Sequence, residues 1–280
     1  MNDKNRNLVL RVASALLLLP IVLGLLWLGG IAAILLVVFA IVMVASEFYK
    51  MAGVRASHPA AILGLVASAS LAWIGASIDT RWPGALGVLV LVPLASVALY
   101  TLFPPDGDLR KAAASSGFVA LMPGYAGLGL GAVVALRAMP GHAGITWTLV
   151  AIGVTWANDT GAYFAGRLFG RHKLYPLISP NKTWEGFVGG MASSVLICFL
   201  IKWIYAVEVL HFWDCVIVGV VGGVLGPLGD LSESMLKRAF GVKDSGRIMP
   251  GHGGIFDRVD ALMFVAPWVF AYAHFIRTLA

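Results

Sequence analysis

Charge is scarce in this chain. Asp, Glu, Lys and Arg make up only 12% of its 280 residues. An ordinary soluble domain carries about a quarter charged residues, so that class is excluded. Cysteine is scarcer still: Cys198 and Cys215 each sit inside an apolar run, with no CxxC pair. A disulfide framework and a Cys/His zinc site are thereby excluded, and both cysteines read as small apolar packing residues. No GxxxxGK[ST] segment is present, which removes a P-loop route to a nucleoside triphosphate. Nothing in the chain points to a nucleic-acid partner.

What is abundant is apolar length. Hydrophobic residues make up 59% of the chain and the mean hydropathy is +0.87. Apolar runs of about 17–25 residues recur from end to end, the length that crosses about 30 Å of hydrocarbon. These runs predict an all-α, polytopic integral membrane protein with nine spans, near 9–28, 31–47, 60–78, 84–103, 114–136, 144–165, 186–206, 211–236 and 261–279. The basic start followed by an apolar run resembles a signal peptide, but a second apolar run follows almost at once. An uncleaved first helix is therefore expected. Glycines crowd the fifth span (Gly124, Gly127, Gly129, Gly131) and the eighth (Gly219, Gly222, Gly223, Gly226). Small residues at such spacing let helix backbones approach closely in lipid.

Orientation follows from the basic residues. With the N-terminus in the cytoplasm, all but four of the 20 Lys and Arg fall on the cytoplasmic side; the exceptions are Arg81, Arg137, Lys202 and Arg277. Such a bias toward the inside is the usual signature of topology. The hydrophilic loops are short, so no separate soluble domain is expected, and any chemistry must occur at the membrane face. The expected division is a membrane scaffold of about four spans over 1–112 and a catalytic membrane region over 113–280.

Two cytoplasmic segments stand out against this apolar background. In the later one, Gly229–Asp260, Asp230, Glu233, Ser234 and Lys237 fall at i, i+3, i+4 and i+7, one face of a helix. They end an apolar span, where a charge costs roughly 2.5–3.5 kcal/mol at the helix centre. Residues kept there at that cost usually face a bundle interior or a wet cavity. The bland alternative is a solvated helix end with an internal ion pair to Lys237. The loop that follows, Gly241–Gly254, carries Gly246, Gly251, Gly253 and Gly254 around His252. Glycines permit the close backbone approach that phosphate-cradling loops need, although glycine-rich turns are common. Asp257 and Asp260 open the last span, where helix capping is the alternative to a site. Carboxylates suit Mg²⁺, while Lys237, Arg238, Lys243 and Arg258 suit phosphate oxygens, so the set describes a metal–phosphate site.

The earlier segment, Asn158–Gly186, supplies Asp159, Arg167, Arg171, His172, Lys173 and Lys182, with Ser179, Asn181 and Thr183 as polar partners. A basic cytoplasmic loop is also an ordinary topology signal or anionic-lipid contact. The Asn-x-Thr triplets at Asn158 and Asn181 lie on the expected cytoplasmic side, so glycosylation is not expected.

Taken together, Ser234-Met235-Leu236-Lys237-Arg238, Lys243-Asp244 and the run Pro250-Gly251-His252-Gly253-Gly254-Ile255-Phe256-Asp257-Arg258-Val259-Asp260 resemble the signature of phosphatidate cytidylyltransferases, the CDP-diacylglycerol synthases. Asn158–Tyr163 and Ser179–Gly186 resemble the upstream block of the same family. The likeness covers roughly 150–265; the first four spans match only in being hydrophobic. One departure is Met249, where the family more often has a branched aliphatic residue or Phe.

The resemblance implies transfer of CMP from CTP to phosphatidic acid, with Mg²⁺ required and a second cation such as K⁺ in some members. It implies that Asp230 and Asp257 carry the metal, and that Ser234, Lys237, Arg258 and Lys182 act at the reacting phosphates. Ser179, Asn181, Arg238, Lys243, His252 and Asp159 would bind substrate. Glu233, Asp244 and Asp260 would support them. His252 is either a phosphate donor or a turn residue. The implied setting is a bacterial inner membrane with the active site facing the cytoplasm, and a homodimer is expected.

Two alternatives follow from other readings of the same residues. A CTP-dependent polyprenol- or phytol-type lipid kinase would pass on the γ-phosphate instead, and its hydroxyl nucleophile would need a general base. A transporter would place charges at mid-membrane depth and show paired repeats, whereas these charges gather at one face.

Overall fold

Apolar runs without internal polar periodicity fold as helices here, because helices satisfy every backbone polar group within one segment. The computed structural model describes residues 17–248 and 253–277. The first eight residues of the expected first span (9–16), the last residues of the ninth, Met249 and His252 lie outside the described residues.

In chain order the helices are α1 (Leu17–Leu28), α2 (Gly30–Met51), α3 (Pro59–Gly75), α4 (Ile78–Leu102), α5 (Leu109–Met122) and α6 (Gly129–Arg137). They continue with α7 (Gly141–Phe169), α8 (Trp184–Ile204), α9 (Phe212–Ala239), the single turn α10 (Phe256–Val259) and α11 (Leu262–Ala271). A wide π turn at Pro123–Leu128 joins α5 to α6. Five helical stretches are long and apolar enough to cross a membrane, and three shorter apolar helices accompany them among the described residues. The protein is thus a helical, multi-pass membrane protein.

One element departs from the all-α expectation. Lys173–Tyr175 (β1) and Ser179–Thr183 (β2) pair as a small antiparallel ladder between α7 and α8. It is too short to show the alternation by which strands are read from sequence. Glu185 fastens its base, with Oε2 accepting from Arg171 N (3.1 Å) and Oε1 lying 2.6 Å from His172 Nδ1.

Helix ends carry ordinary caps. The His58 ring accepts from Ala60 N, Asp108 accepts from Arg110 N and Lys111 N, and Thr183 accepts from Gly186 N. Each satisfies a backbone N–H that the first turn leaves without a helical partner.

The chain divides into two compact units. One holds residues 1–135 together with the returning segment 240–258. Its core centres on Phe48 of α2, which is fully buried. The rings of Phe118, Phe240 and Phe256 stand edge-on to Phe48 with centroids 5.8, 5.9 and 6.5 Å away. Edge-to-face packing of this kind adds about 0.5–1.5 kcal/mol per pair beyond area burial, so α2 grips the returning segment at both its ends. Gly127 of the π turn and Gly131 of α6 let that stretch pass close to α3. A Cβ at Gly127 would stand 2.9 Å from Ser68 O, and one at Gly131 would stand 3.1 Å from Leu71 O.

The other unit holds residues 136–239 and 259–280, built on α7, α8, α9 and α11. Here small residues bring the helices into backbone contact: a Cβ at Gly219 would meet Val195 of α8 at 2.6 Å, and one at Gly223 would meet Met191 at 2.8 Å. Asn158 of α7 knots the three helices, its Nδ2 donating to Ser194 Oγ of α8 and Gly223 O of α9, both at 3.1 Å. The glycine faces of α9 are therefore occupied inside the chain. Outward-facing Leu196, Trp203 and Ile204 are 69%, 74% and 77% exposed, an apolar surface that suits lipid and not water.

Candidate active site

The C-terminal half of α9 turns one polar face inward. The spacing of Asp230, Glu233, Ser234 and Lys237 read from the sequence becomes a set of contacts. Ser234 Oγ donates to Asp230 Oδ1 at 3.2 Å, and Lys237 Nζ lies 2.6 Å from Glu233 Oε2 one turn away. Glu233 is 1% exposed, so its charge depends on such neighbours. From the hairpin, Lys182 reaches the same face and sets its Nζ 2.7 Å from Asp230 Oδ2.

Asp260, at the threshold of α11, completes the group. One oxygen each from Asp230, Glu233 and Asp260 can lie within 4.8 Å of one another. The approach depends on Gly229, where a Cβ would stand only 2.6 Å from Asp260 O. Burial, and then the neighbouring Asp230 carboxylate, push the Asp260 carboxyl from its ordinary 3.8 up to about 7. Asp159 adds to that push and Lys237 opposes it. Carboxylates crowded into partial burial in this way favour a cation among them, and an all-oxygen donor set suits a hard divalent ion. The residues present therefore fit a divalent metal.

The remaining residues singled out from sequence are divided between the two units. Ser179 is half-buried on β2, while Asn181, Asp159 and Arg238 are exposed. In the other unit, Lys243, Asp244 and Arg258 are exposed on the returning segment. There Asp257 Oδ2 accepts from Ser245 N (3.0 Å), Ser245 Oγ (2.9 Å) and Gly254 N (2.8 Å). Gly253 holds φ at 83°, a conformation that favours glycine, and a Cβ on it would stand 2.6 Å from Asp257 Oδ2. The glycine-rich run thus wraps a carboxylate in backbone donors.

One residue at this loop escaped the sequence reading. Glu47, near the end of α2, is 6% exposed and accepts from Ile255 N (3.0 Å), Phe256 N (2.9 Å) and Ser245 Oγ (2.9 Å). The one available signal was an acidic residue standing at the end of an otherwise apolar span.

The fold and the site thus define a helical membrane protein with an acidic, lysine-bridged cluster at a helix end that could hold a metal ion. Comparison with known proteins narrows the class. Residues 9–276 match the model of the cytidylyltransferase family. The chain is 36% identical over 259 residues to the phosphatidate cytidylyltransferase of Staphylococcus epidermidis, covering 92% of this chain and 95% of that protein. Phosphatidate cytidylyltransferases of Staphylococcus haemolyticus and Staphylococcus aureus are 35% and 34% identical, with the same coverage of both chains. The chain belongs to the cytidylyltransferase family.

Proposed function

We infer that this protein transfers CMP from CTP to phosphatidic acid, giving CDP-diacylglycerol and pyrophosphate for phospholipid synthesis. The observation that carries the reading is the cluster at the end of α9, three carboxylates and two lysines in a chain where charge is otherwise scarce. Membership of a family whose named relatives are phosphatidate cytidylyltransferases supports the choice of substrates.

In the proposed reaction an oxygen of the lipid phosphate attacks the α-phosphorus of CTP. A P–O bond to that phosphorus forms as the bond to the β-phosphate oxygen breaks, and pyrophosphate leaves with the electron pair. The nucleophile is already anionic, so the residues need not remove a proton. Their work is to position two polyanions and to balance the charge that collects on the leaving oxygens. Lys182, Lys237 and Arg258 would hold the reacting phosphates, with Ser234 orienting Asp230. Ser179, Asn181, Arg238, Lys243, His252 and Asp159 would contact the remainder of the substrates. Asp230, beside Glu233 and Asp260, would hold Mg²⁺, which when bound supplies positive charge to the triphosphate oxygens. Asp257 is proposed as a further metal ligand on the family pattern, with a second cation such as K⁺ as its companion, and Asp244 as a supporting residue.

The finer topology belongs to the same proposal: nine spans, a cytoplasmic N-terminus, a scaffold over 1–112, a catalytic region over 113–280, and an active site facing the cytoplasm of a bacterial inner membrane. Single cysteines introduced at Lys173 and at Arg81 would test it, the first reacting with an impermeant thiol reagent only in opened vesicles and the second in intact cells. A homodimer remains part of the family expectation, to be measured by the mass of the protein in nanodiscs.

The reaction is tested with purified protein, phosphatidic acid, Mg²⁺ and CTP labelled on either the α- or the γ-phosphate. Entry of the α-label into lipid and release of the γ-label as pyrophosphate support the reading. Entry of the γ-label into lipid would make the protein a kinase, and uptake of solute without transfer would make it a transporter.

A further inference from the structure

The motif residues read from the sequence lie in the second half of the chain, yet a residue of α2 reaches the same segment. Glu47 lies 198 residues before Ser245 and more than 200 before Ile255 and Phe256, and its carboxylate meets all three. Burying a carboxylate to 6% exposure is costly unless donors are aimed at it, and here two backbone N–H groups and a hydroxyl shared with Asp257 are. Two glycines of the loop lie against this side chain. A Cβ at Gly246 would stand 2.5 Å from Glu47 Oε1, and one at Gly254 would collide with Ser245 Oγ and Glu47 Oε2. These two glycines, which read in sequence as phosphate-cradling, thus leave room for the Glu47 carboxylate and the Ser245 hydroxyl. Ser245 Oγ stands 2.9 Å from Glu47 Oε2 and 2.9 Å from Asp257 Oδ2, which places a single hydroxyl between the two carboxylates. Phe48, the next residue, packs edge-on against Phe256 at 6.5 Å and Phe240 at 5.9 Å, clamping the same segment by its apolar side.

We propose that Glu47 is a positioning residue for the reaction: it holds Ser245 and the turn at 254–257, and with them Asp257, in their working arrangement. The inference rests on the reading given above, in which Asp257 and its loop serve CMP transfer. Glu47 acts through the backbone N–H groups of Ile255 and Phe256 and through Ser245, without touching substrate. A displacement of about 1 Å at a reacting group can cost about 10²-fold in rate, which makes such a hold visible in kinetics.

The test uses the full-length protein in detergent, with Glu47→Gln beside wild type. Glutamine keeps the size and one acceptor oxygen but turns an NH₂ donor toward groups that already donate. Peptides covering 245–257 are expected to exchange amide hydrogen at least about tenfold faster, while α7 to α9 keep their protection. The transfer rate kcat falls about 10- to 100-fold, and KM for CTP and for phosphatidic acid stays within about threefold. Glu47→Asp recovers part of both losses. Exchange and kcat both within about twofold of wild type would overturn the proposal. So would a fall in kcat with exchange unchanged, which would assign Glu47 a direct part in the chemistry. Should Glu47→Gln fail to fold, Ser245→Ala takes its place, with faster exchange over the same peptides expected and unchanged exchange contradicting the inference. If wild type transfers no CMP at all, the proposed function fails, while the exchange comparison still decides whether Glu47 holds the loop.

Discussion

Helix α9 carries a carboxylate toward each end, and the surroundings treat the two differently. Asp214, in its first turn, is 4% exposed and fully partnered. His211 N donates to its Oδ2 at 2.7 Å, the Tyr272 hydroxyl donates to its Oδ1 at 2.8 Å, and Arg277 Nε stands 3.3 Å from Oδ2. The guanidinium also lies over the ring of Trp147, 5.7 Å from its centroid. One negative charge meets one positive charge, and the site is closed. Sixteen residues on, about 24 Å along the axis at 1.5 Å per residue, Asp230 meets Lys182 and Ser234, but Glu233 and Asp260 stand beside it. There three carboxylates face two lysines. A buried charge alone therefore says little about function in this protein; a surplus of one sign says more.

The comparison can be sharpened by breaking each end in turn. The largest effect on transfer is expected from Asp260→Asn, which removes a carboxylate from the triad: about 10²-fold or more lost in kcat, with the melting temperature little changed. A mutant that keeps wild-type turnover would leave the surplus of charge without a purpose. Lys182→Ala should follow, with a fall of about 10- to 100-fold in kcat/KM for CTP, since it removes the cation that the hairpin brings to Asp230. Ser234→Ala is expected to cost about tenfold, the worth of one hydrogen bond to a charged group at 3.2 Å. Smallest in rate is Asp214→Asn, which should leave kcat within about twofold. Its effect falls on stability instead, lowering the unfolding free energy by about 3–5 kcal/mol because Arg277 loses its partner. Thermal unfolding in detergent, followed beside the transfer assay, separates the two kinds of loss.

Much of this was legible before any coordinates. The apolar runs mark out helices because backbone groups in lipid have no other partner. The i, i+3, i+4 spacing of Asp230, Glu233 and Ser234 defines a face of α9, since helical periodicity alone places those side chains together. Less could be read where contacts span long separations. Glu47 was not singled out, because its partners at Ser245, Ile255 and Phe256 belong to a segment about 200 residues away. The association of Asp260 with Asp230 and Glu233 depended on the close pass at Gly229, which no periodicity encodes. The hairpin at 173–183 offered too few residues for a strand pattern to emerge. Asp214 shows the converse: a charge near the start of an apolar helix is here enclosed by Tyr272 and Arg277, partners about 60 residues away that no local pattern reveals.

The most direct test of the account is the rate of α-labelled CMP transfer by Asp230→Asn, measured beside Asp214→Asn in the same detergent and lipid. The account predicts that Asp230→Asn loses at least about 10²-fold in kcat while remaining folded, and that Asp214→Asn stays within about twofold of wild type. An Asp230→Asn protein with wild-type turnover would contradict it, because the cluster at the end of α9 could then not be the place where the chemistry occurs.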